Sequence, residues 1–386
     1  MTTTKAPFDS ATGFLPINDP LTALREPFID WEQTAQQLPK WLLSDHLRDQ
    51  LEQLPPFPVD KLSHPAEFER AMLILSFLGH AYVWGASSPS AHLPARLAVP
   101  WYQVAHQLDR PPVLSYASYA LYNWRRLDRM RPVELGNIAL LQNFWGGVDE
   151  EWFILIHIDI EARAKPAIAA LRPALAAVAN NNTEQLLHNL TCIQLALQEI
   201  YKTLQRMPEF CSPLIYYQRV RPFIHGWNNN PSLPDGLYYE GVDAYQNRAQ
   251  QFRGETGAQS TIIPALDTLL GIEHEDDPLK AYLLEMRNYM PTQHRNLLTQ
   301  LAAGPRLRDY ILKQRHTNAA LVDAYNGCVL GVERFRALHL QYADQYIHQQ
   351  SQSGDANPTT IGTGGTPFMR YLDKHKRESK QFLIGQ

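Results

Sequence analysis

A single histidine lies within an apolar helical pattern near the end of the chain, in the stretch ERFRALHLQYADQYI, residues 333–347. Residues at three- and four-residue spacing share a helix face, so Phe335, His339 and Tyr342 are predicted to line one buried seam. A buried imidazole needs a partner. That partner is either a backbone carbonyl or a haem iron, which needs one protein ligand and an apolar slot. Zinc would require further ligands at fixed spacing.

A second histidine, His157, lies in a similarly apolar helical stretch, EEWFILIHIDIEARAKP. Phe153 precedes it by four residues and therefore shares its helix face. A structural hydrogen bond is one interpretation of His157. The other is contact with a substrate or with bound oxygen, with Phe153 packed beside it. Two such histidines on two apolar helices favour a haem between them but leave both interpretations open.

Two arginines lie where they could bind anionic groups. Arg221 follows Tyr216 and Tyr217 in the stretch YYQRVRPFIHGW, and its planar guanidinium suits a carboxylate ligand held by two parallel hydrogen bonds. A surface arginine stacked on a tyrosine is the alternative. Arg336, three residues before His339, lies one helical turn away and could reach a propionate or a carboxylate.

The segment GTGGT, residues 362–366, contains glycines but no phosphate-binding motif. The preceding strand and the lysine of such a loop are both missing from the pattern. We interpret the segment as a lid that closes with Thr363 on a substrate, with a plain linker as the alternative. The wider stretch 351–366 is rich in Ser, Gly, Thr and Pro, and we expect it to be mobile.

The elements that position these residues are predicted to be helices. Apolar residues recur at helical spacing in most stretches, and many of the 28 prolines lie at helix boundaries. We find no sustained alternating pattern of the kind that predicts strands, and no internal repeat. An all-α fold is therefore predicted.

The chain is predicted to form two domains, a smaller helical one at residues 1–140 and a larger helical one at residues 141–386. The break is indicated by the Gly-Gly pair in NFWGGVDEEW, after which Asp149 is expected to cap a new helix. The basic stretch RYLDKHKRESK near the C-terminus is interpreted as a solvated helix end.

Composition narrows the class of protein further. The 386 residues are 45% hydrophobic and only 19% charged, which is typical of a chain with a large core. A formal net charge of −4 predicts no general attraction to nucleic acid or anionic membranes. Three widely spaced cysteines predict no disulfide framework, and the N-terminal stretch has no signal-peptide pattern, so we expect a cytoplasmic protein. No stretch is apolar and long enough to predict a membrane span.

Several stretches together resemble the indoleamine 2,3-dioxygenase family in order and spacing over most of the chain. They are LSFLGHAYVWG, LPARLAVPWYQVAHQLDRPPVLSYASYALYNW, GWNNNPSLPDGLYYEGV, GAQSTIIPALDTLLGI, MRNYMPTQHRNLL, AYNGCVLGVERFRALHLQYADQYI and GTGGT. The resemblance implies a large helical domain that encloses haem b, capped by the smaller domain. It also implies an oxidoreductase that inserts both atoms of O2 across the indole C2–C3 bond of L-tryptophan, giving N-formylkynurenine in the kynurenine pathway.

The resemblance assigns roles to individual residues. His339 is implied as the proximal ligand of the haem iron, with Arg336 and Asp267 holding a propionate and the proximal side. Arg221 is implied to bind the substrate carboxylate. The residues implied to line or close the substrate pocket are Phe153, Tyr216 (where the family commonly has phenylalanine), Tyr116, Tyr119 and Thr363.

Two positions depart from the family pattern. His157 stands where the best-known animal enzymes have serine, and it is similar to the histidine of tryptophan 2,3-dioxygenase that accepts a hydrogen bond from the indole N–H. Glu255 adds a charge to a loop near the porphyrin that usually contains small residues. The first departure leaves oxygenation of another indole derivative open. A haem-binding sensor or carrier without dioxygenase activity, in which His157 closes a six-coordinate site, is the remaining alternative.

Overall fold

The fold is built from helices, as the periodicity predicts. In a computed structural model of the protein, residues 13–276, 278–351, 362–364 and 368–385 are described. Their strands are confined to two small two-stranded sheets. The all-α prediction is therefore confirmed.

The bounds of the elements are as follows. The α-helices are α1 Ile29–Gln36, α2 Leu38–Trp41, α3 Leu47–Glu52, α4 Pro65–Trp84, α5 Ala95–Leu108, α6 Val148–Ala179, α7 Thr183–Gln205, α8 Pro213–Ile215, α9 Arg221–Ile224, α10 Ile262–Leu270, α11 Pro278–Met286, α12 Thr292–Ala302, α13 Leu307–Gln314, α14 Ala319–Ala343, α15 Gln349–Ser351 and α16 Phe368–Lys380. Short π-helical segments occupy Ala117–Leu121, Tyr216–Val220 and Asp344–His348. The strands are β1 His92–Leu93, β2 Trp124–Arg126, β3 Ile138–Leu140 and β4 Tyr238–Tyr239.

One of the two small sheets joins segments that are far apart along the chain, and the other joins segments that are close together in it. β1 pairs in parallel with β4, with His92 opposite Tyr238, and so connects the region before α5 to the loop after α9. β2 pairs antiparallel with β3, with Trp124 opposite Leu140.

Helix α6 begins at Val148, one residue before the predicted cap. Gly147 is its N-cap and Asp149 lies in its first turn, so the prediction of Asp149 as the capping residue is wrong. Glu150 instead folds back and accepts hydrogen bonds from the N–H groups of Phe144 and Trp145, both at 2.7 Å. The carboxylate thus holds the Gly-Gly turn against the helix start, where the helix dipole also favours negative charge.

Buried apolar side chains form two clusters. The first draws mainly on residues 15–144, with further members from residues 223–242 and 279–289. The second lies mainly around α6, α7, α10, α12 and α14. Because distant segments join the first cluster, the packing does not divide at one point of the chain, and the division at residue 140 stays a prediction.

Helix α14 carries the first histidine of interest. Asn318 caps it by accepting a hydrogen bond from the Leu321 N–H at 3.1 Å. Its first half is buried, whereas the side chain of His339 is exposed, so the prediction of one continuous buried seam is wrong in the second half. The helix packs against α7 and α16.

Helix α16 is more than a solvated end. Glu378 and Ser379 are buried, and α16 packs against α14. The prediction that this basic stretch is merely solvated is therefore wrong, because its C-terminal turn faces the protein interior.

Two further observations concern the cysteines and the membrane. Cys192, Cys211 and Cys328 form no disulfide. None of the helices in the described parts of the chain combines the length and apolar character needed to cross a membrane.

Candidate active site

His339 projects from α14 without a protein partner. Within the described residues, no group hydrogen-bonds to its ring, so the interpretation as a core histidine bonded to a carbonyl is not supported. The side chain is exposed, yet desolvation by surrounding protein and repulsion from His157 lower the pKa of its imidazole to about 4. The repulsion from His157 shows that the two imidazoles lie near each other.

His157 lies on α6, near His339. Its Nδ1 lies 2.7 Å from the carbonyl oxygen of Phe153. Because a carbonyl only accepts, Nδ1 carries the proton and Nε2 of the neutral ring is left as an acceptor. Burial lowers the pKa of His157, which favours this neutral form. The structural interpretation is therefore confirmed for Nδ1, whereas contact of Nε2 with a substrate or with oxygen stays a prediction.

Four aromatic residues form one connected group with His157. The rings of Phe153 and His157 have centroids 4.6 Å apart, and Tyr216 packs on Phe153 at 4.7 Å. Tyr116 meets His157 edge-on at 6.0 Å, and Tyr119 lies 6.3 Å from Phe153. We call Phe153, Tyr116, Tyr119 and Tyr216 the aromatic wall. The structure thus brings these four predicted pocket residues into one group, although they come from three separate segments.

A buried carboxyl group forms a hydrogen bond with one residue of the aromatic wall. Glu161 accepts hydrogen bonds from the Tyr116 hydroxyl at 2.9 Å and the Ser260 hydroxyl at 2.8 Å. Burial raises the pKa of Glu161 to about 7 despite these two hydrogen bonds, which act in the opposite direction. Sequence reasoning missed Glu161. The available signal was its position four residues after His157, one turn along the same helix.

Arg221 begins α9 and has no exposed surface. Its guanidinium carbon lies 5.6 Å from the ring centre of Tyr217, a cation–π distance. Burial lowers the pKa of Arg221, while Tyr216 and Tyr217 act to raise it. The alternative of a surface arginine does not apply to Arg221, whereas its neighbour Arg219 is exposed.

Thr363 lies against the loop before α10. Its hydroxyl donates to the backbone oxygen of Glu255 at 2.6 Å, and Arg253 donates to the backbone oxygen of Gly364 at 2.6 Å. Residues 352–361 and 365–367 of the predicted mobile segment and lid lie outside the described residues. Closure by this segment therefore stays a prediction.

A network of charged residues lies one turn from His339. Arg336 donates to Asp267 and to the Ser379 hydroxyl, both at 2.6 Å. His274 lies 3.5 Å from the same Asp267 oxygen and 2.6 Å from a Glu378 oxygen. Burial alone would raise the pKa of Asp267, but Arg336 and His274 outweigh it, and the pKa of Asp267 is lowered. The predicted Arg336–Asp267 pair is present; its partners His274, Glu378 and Ser379 carried no signal in the sequence.

The donor set suits a haem rather than a bare metal ion. No group of three or more histidine, cysteine, aspartate or glutamate residues within the described ranges could hold a metal ion. A lone imidazole that has no hydrogen bond within the described chain and lies near a second histidine fits an iron porphyrin, which needs one axial ligand. The neighbouring Arg336 fits a porphyrin propionate in charge.

Comparison with known proteins gives consistent matches over nearly the whole chain. A family model described as indoleamine 2,3-dioxygenase matches residues 5–382. Indoleamine 2,3-dioxygenase 1 of Rattus norvegicus is 34% identical over 389 residues, covering 97% of this chain and 94% of the relative. Indoleamine 2,3-dioxygenase 2 of Homo sapiens is 34% identical over 385 residues, covering 96% and 93%. A fungal relative from Fusarium equiseti, 6-hydroxytryptophan 2,3-dioxygenase fscD, is 33% identical over 380 residues, covering 94% and 93%.

Proposed function

The chain belongs to the indoleamine 2,3-dioxygenase family, and from that membership we propose that it inserts both atoms of O2 across the C2–C3 bond of L-tryptophan to give N-formylkynurenine. The family establishes an oxidoreductase of the haem-dependent dioxygenase class. The observation that supports the proposal for this chain is the proximity of His339 and His157, whose imidazoles act on each other electrostatically. His339 makes no hydrogen bond with any described residue, while His157 keeps one acceptor nitrogen available.

We assign the haem-binding role to α14 and its neighbours. His339 would ligate the iron of haem b, and the low pKa of His339 keeps the imidazole neutral and able to coordinate. Arg336 would bind a propionate, with Asp267 and Ser379 holding the guanidinium in place. When bound, the haem iron supplies the activation of O2.

The other residues of the site would bind and orient the indole amino acid. Nε2 of His157 accepts a hydrogen bond from the indole N–H, which orients the ring. The buried guanidinium of Arg221 binds the substrate carboxylate. The aromatic wall packs against the indole and excludes water. The protein would contribute by positioning the substrate and by excluding water, while the cofactor supplies the reactivity.

A ring-hydroxylated tryptophan is a second candidate substrate. The Tyr119 hydroxyl is buried in the aromatic wall and has no hydrogen-bond partner within the described chain. A hydroxyl group on the indole would provide that partner, since an unmade buried hydrogen bond costs free energy. One relative carries the name 6-hydroxytryptophan 2,3-dioxygenase.

The experiment is to supply the purified protein with haem, reduce it, and add L-tryptophan or 6-hydroxytryptophan under air. Growth of the N-formylkynurenine absorbance with L-tryptophan supports the first proposal. Faster conversion of 6-hydroxytryptophan supports the second. A static six-coordinate spectrum with no product from either compound would contradict both proposals and favour a haem-binding sensor or carrier.

A cytoplasmic location is also proposed, because the three cysteines remain as thiols and disulfides are rare in reducing compartments. Fractionation of the native host tests it, and recovery of the protein outside the cytoplasm would contradict it.

A further inference from the structure

A buried glutamate lies beside the proposed substrate pocket without an evident structural role. Glu255 is only 4% exposed. Its backbone N–H donates to the carbonyl of Ile224, the last residue of α9, at 3.0 Å. Its own carbonyl accepts the Thr363 hydroxyl at 2.6 Å. The loop that carries Glu255 is therefore attached both to the helix of Arg221 and to the segment of Thr363.

Close backbone packing holds Glu255 in this place. A Cβ atom added to Gly254 would lie 2.2 Å from the backbone nitrogen of Gly226, so the two segments touch at glycines. Gln259 then joins this loop to the aromatic wall. Its Nε2 donates to the Gly254 carbonyl at 2.9 Å, and its Oε1 accepts from the Tyr116 N–H at 2.8 Å. The position of Glu255 is thus determined from two sides.

The carboxylate of Glu255 has no partner of its own. Within the described residues, nothing donates a hydrogen bond to it or forms an ion pair with it. Other buried carboxylates each have at least one partner: Glu32 with Arg70, Glu150 with backbone N–H groups, Asp159 with Thr203, Glu161 with Tyr116, Asp267 with Arg336, Glu333 with Lys380 and Glu378 with His274. A buried carboxylate without a partner is costly, so its presence beside a pocket indicates a ligand.

The groups around Glu255 identify the chemistry of that ligand. Burial is the main cause that raises the pKa values of Tyr116, Tyr119 and Tyr216, and the ionised form of Glu255 adds to it, which places the carboxyl group near the aromatic wall. Arg221 lies on the helix to which Glu255 is hydrogen-bonded. An α-amino acid carries an anionic and a cationic group on one carbon, and the site offers one buried charge of each complementary sign.

We propose that Glu255 binds the α-ammonium group of the substrate and so restricts the enzyme to indoles that carry a free amine. This rests on the proposed function and deepens it, because Glu255 selects among indole compounds. Arg221 takes the carboxylate, Glu255 takes the ammonium, and His157 takes the indole N–H. Three contacts of different polarity then define one orientation of one enantiomer.

Binding of the ammonium group is coupled to a proton. Burial raises the pKa of Glu255 to about 8, so at neutral pH the carboxyl is largely protonated before the substrate enters. The titratable groups that face it are the phenols of Tyr116, Tyr119 and Tyr216, which burial keeps neutral. An arriving ammonium favours the ionised carboxylate, so the proton leaves Glu255 as the substrate binds.

The experiment compares the haem-loaded wild type with Glu255→Gln, which keeps the shape and removes the charge. The ligands are L-tryptophan and indole-3-propionate, which has the same ring and carboxylate but no amine. Dissociation constants are measured by equilibrium dialysis and by the change in haem absorption. We expect Glu255→Gln to weaken L-tryptophan binding by about tenfold or more and to leave indole-3-propionate unchanged. Glu273→Gln, at an exposed position, is the control that should change neither.

Calorimetry in buffers of different ionisation enthalpy provides a readout independent of turnover. The wild type should release a proton on binding L-tryptophan at neutral pH, and Glu255→Gln should not. Glu255→Asp keeps the charge and should retain most of the preference for the amine. This second variant separates loss of the charge from a general effect of substitution on folding.

Equal loss of both ligands, or no loss of either, would overturn the role of Glu255 while leaving the proposed function intact, provided the wild type converts L-tryptophan. A haem-loaded wild type that binds and converts no indole would refute the proposed function itself, and the role of Glu255 with it.

Discussion

The ring of His157 donates from Nδ1 to the carbonyl oxygen of Phe153, four residues earlier in the same helix, at 2.7 Å. That hydrogen bond selects the tautomer in which Nε2 accepts. It also holds the imidazole beside the ring of Phe153, at 4.6 Å between centroids. The helix therefore presents an oriented acceptor toward the proposed substrate pocket. The side chain of a serine at the same position is shorter and would reach less far.

Replacing His157 with serine should preserve haem and reduce catalysis. The lost hydrogen bond to the indole N–H is expected to lower kcat/KM for L-tryptophan about fivefold, since one neutral hydrogen bond contributes roughly 1 kcal/mol. Steady-state kinetics with L-tryptophan and with 1-methyltryptophan, which has no indole N–H, test this. The variant should lose rate only with the first. Loss of haem from His157→Ser would instead identify His157 as an iron ligand.

Replacing His339 with alanine should abolish stoichiometric haem binding, because the proposed iron ligand is removed while His157 stays anchored to the Phe153 carbonyl. The absorption spectrum of the haem-supplied variant measures this. Added imidazole should restore a Soret band by filling the space left by the side chain. His188→Ala, at an exposed position on α7, should bind haem like the wild type. An unchanged spectrum in His339→Ala would remove the ligand assignment.

Replacing Arg221 with methionine should weaken L-tryptophan binding by about 2–4 kcal/mol, because the substrate carboxylate would then be desolvated without a partner. Tryptamine, which has no carboxylate, should bind the variant and the wild type alike. Arg219→Met is a matched control two residues away on the exposed side of the same segment. Unchanged affinity for L-tryptophan in Arg221→Met would contradict the assigned role.

Replacing Glu161 with glutamine should alter how stability depends on pH. The folded-state pKa of Glu161 is raised to about 7 by burial, from an ordinary value of 4.5. Between these values the folded protein keeps a proton that the unfolded chain releases, so the contribution of Glu161 to stability declines as pH rises through this window. The decline amounts to about 3 kcal/mol once the pH exceeds the folded pKa.

Urea unfolding of the wild type and Glu161→Gln at several pH values measures that contribution. The variant should gain stability relative to the wild type as pH rises from about 5 to about 8. Glu184→Gln, at an exposed position on α7, should run parallel to the wild type. A constant difference between wild type and Glu161→Gln across this range would show that Glu161 titrates normally.

Part of this site could be predicted from local pattern alone. His339, His157 and Phe153 stood out because a helix repeats every 3.6 residues, so a polar ring on an apolar face is visible in the sequence. Arg336 was expected to reach a carboxylate, and it does. The same reasoning failed for the predicted buried seam through His339. Helical periodicity shows which residues share a face, but it does not show where along the helix the core stops covering that face.

The remaining contacts depend on how distant segments pack. Ser379 meets Arg336 only because α16 lies on α14, and the basic composition of that stretch indicated the opposite, a solvated helix end. Glu255 was visible as an extra charge in its loop, yet its meaning depends on Tyr116, Tyr216 and Arg221, which are brought near it by glycine contacts and by Gln259.

The sequence by itself thus determined the helices and the two candidate histidines, because helical hydrogen bonds and side-chain periodicity are local properties of the chain. The family resemblance came from the order and spacing of its motifs. Only the tertiary structure decided which nitrogen of His157 is available, that His339 makes no protein hydrogen bond in the described chain, and that Glu255 is buried without a partner. Those properties arise from desolvation and from contacts between residues far apart in sequence, and no local pattern encodes them.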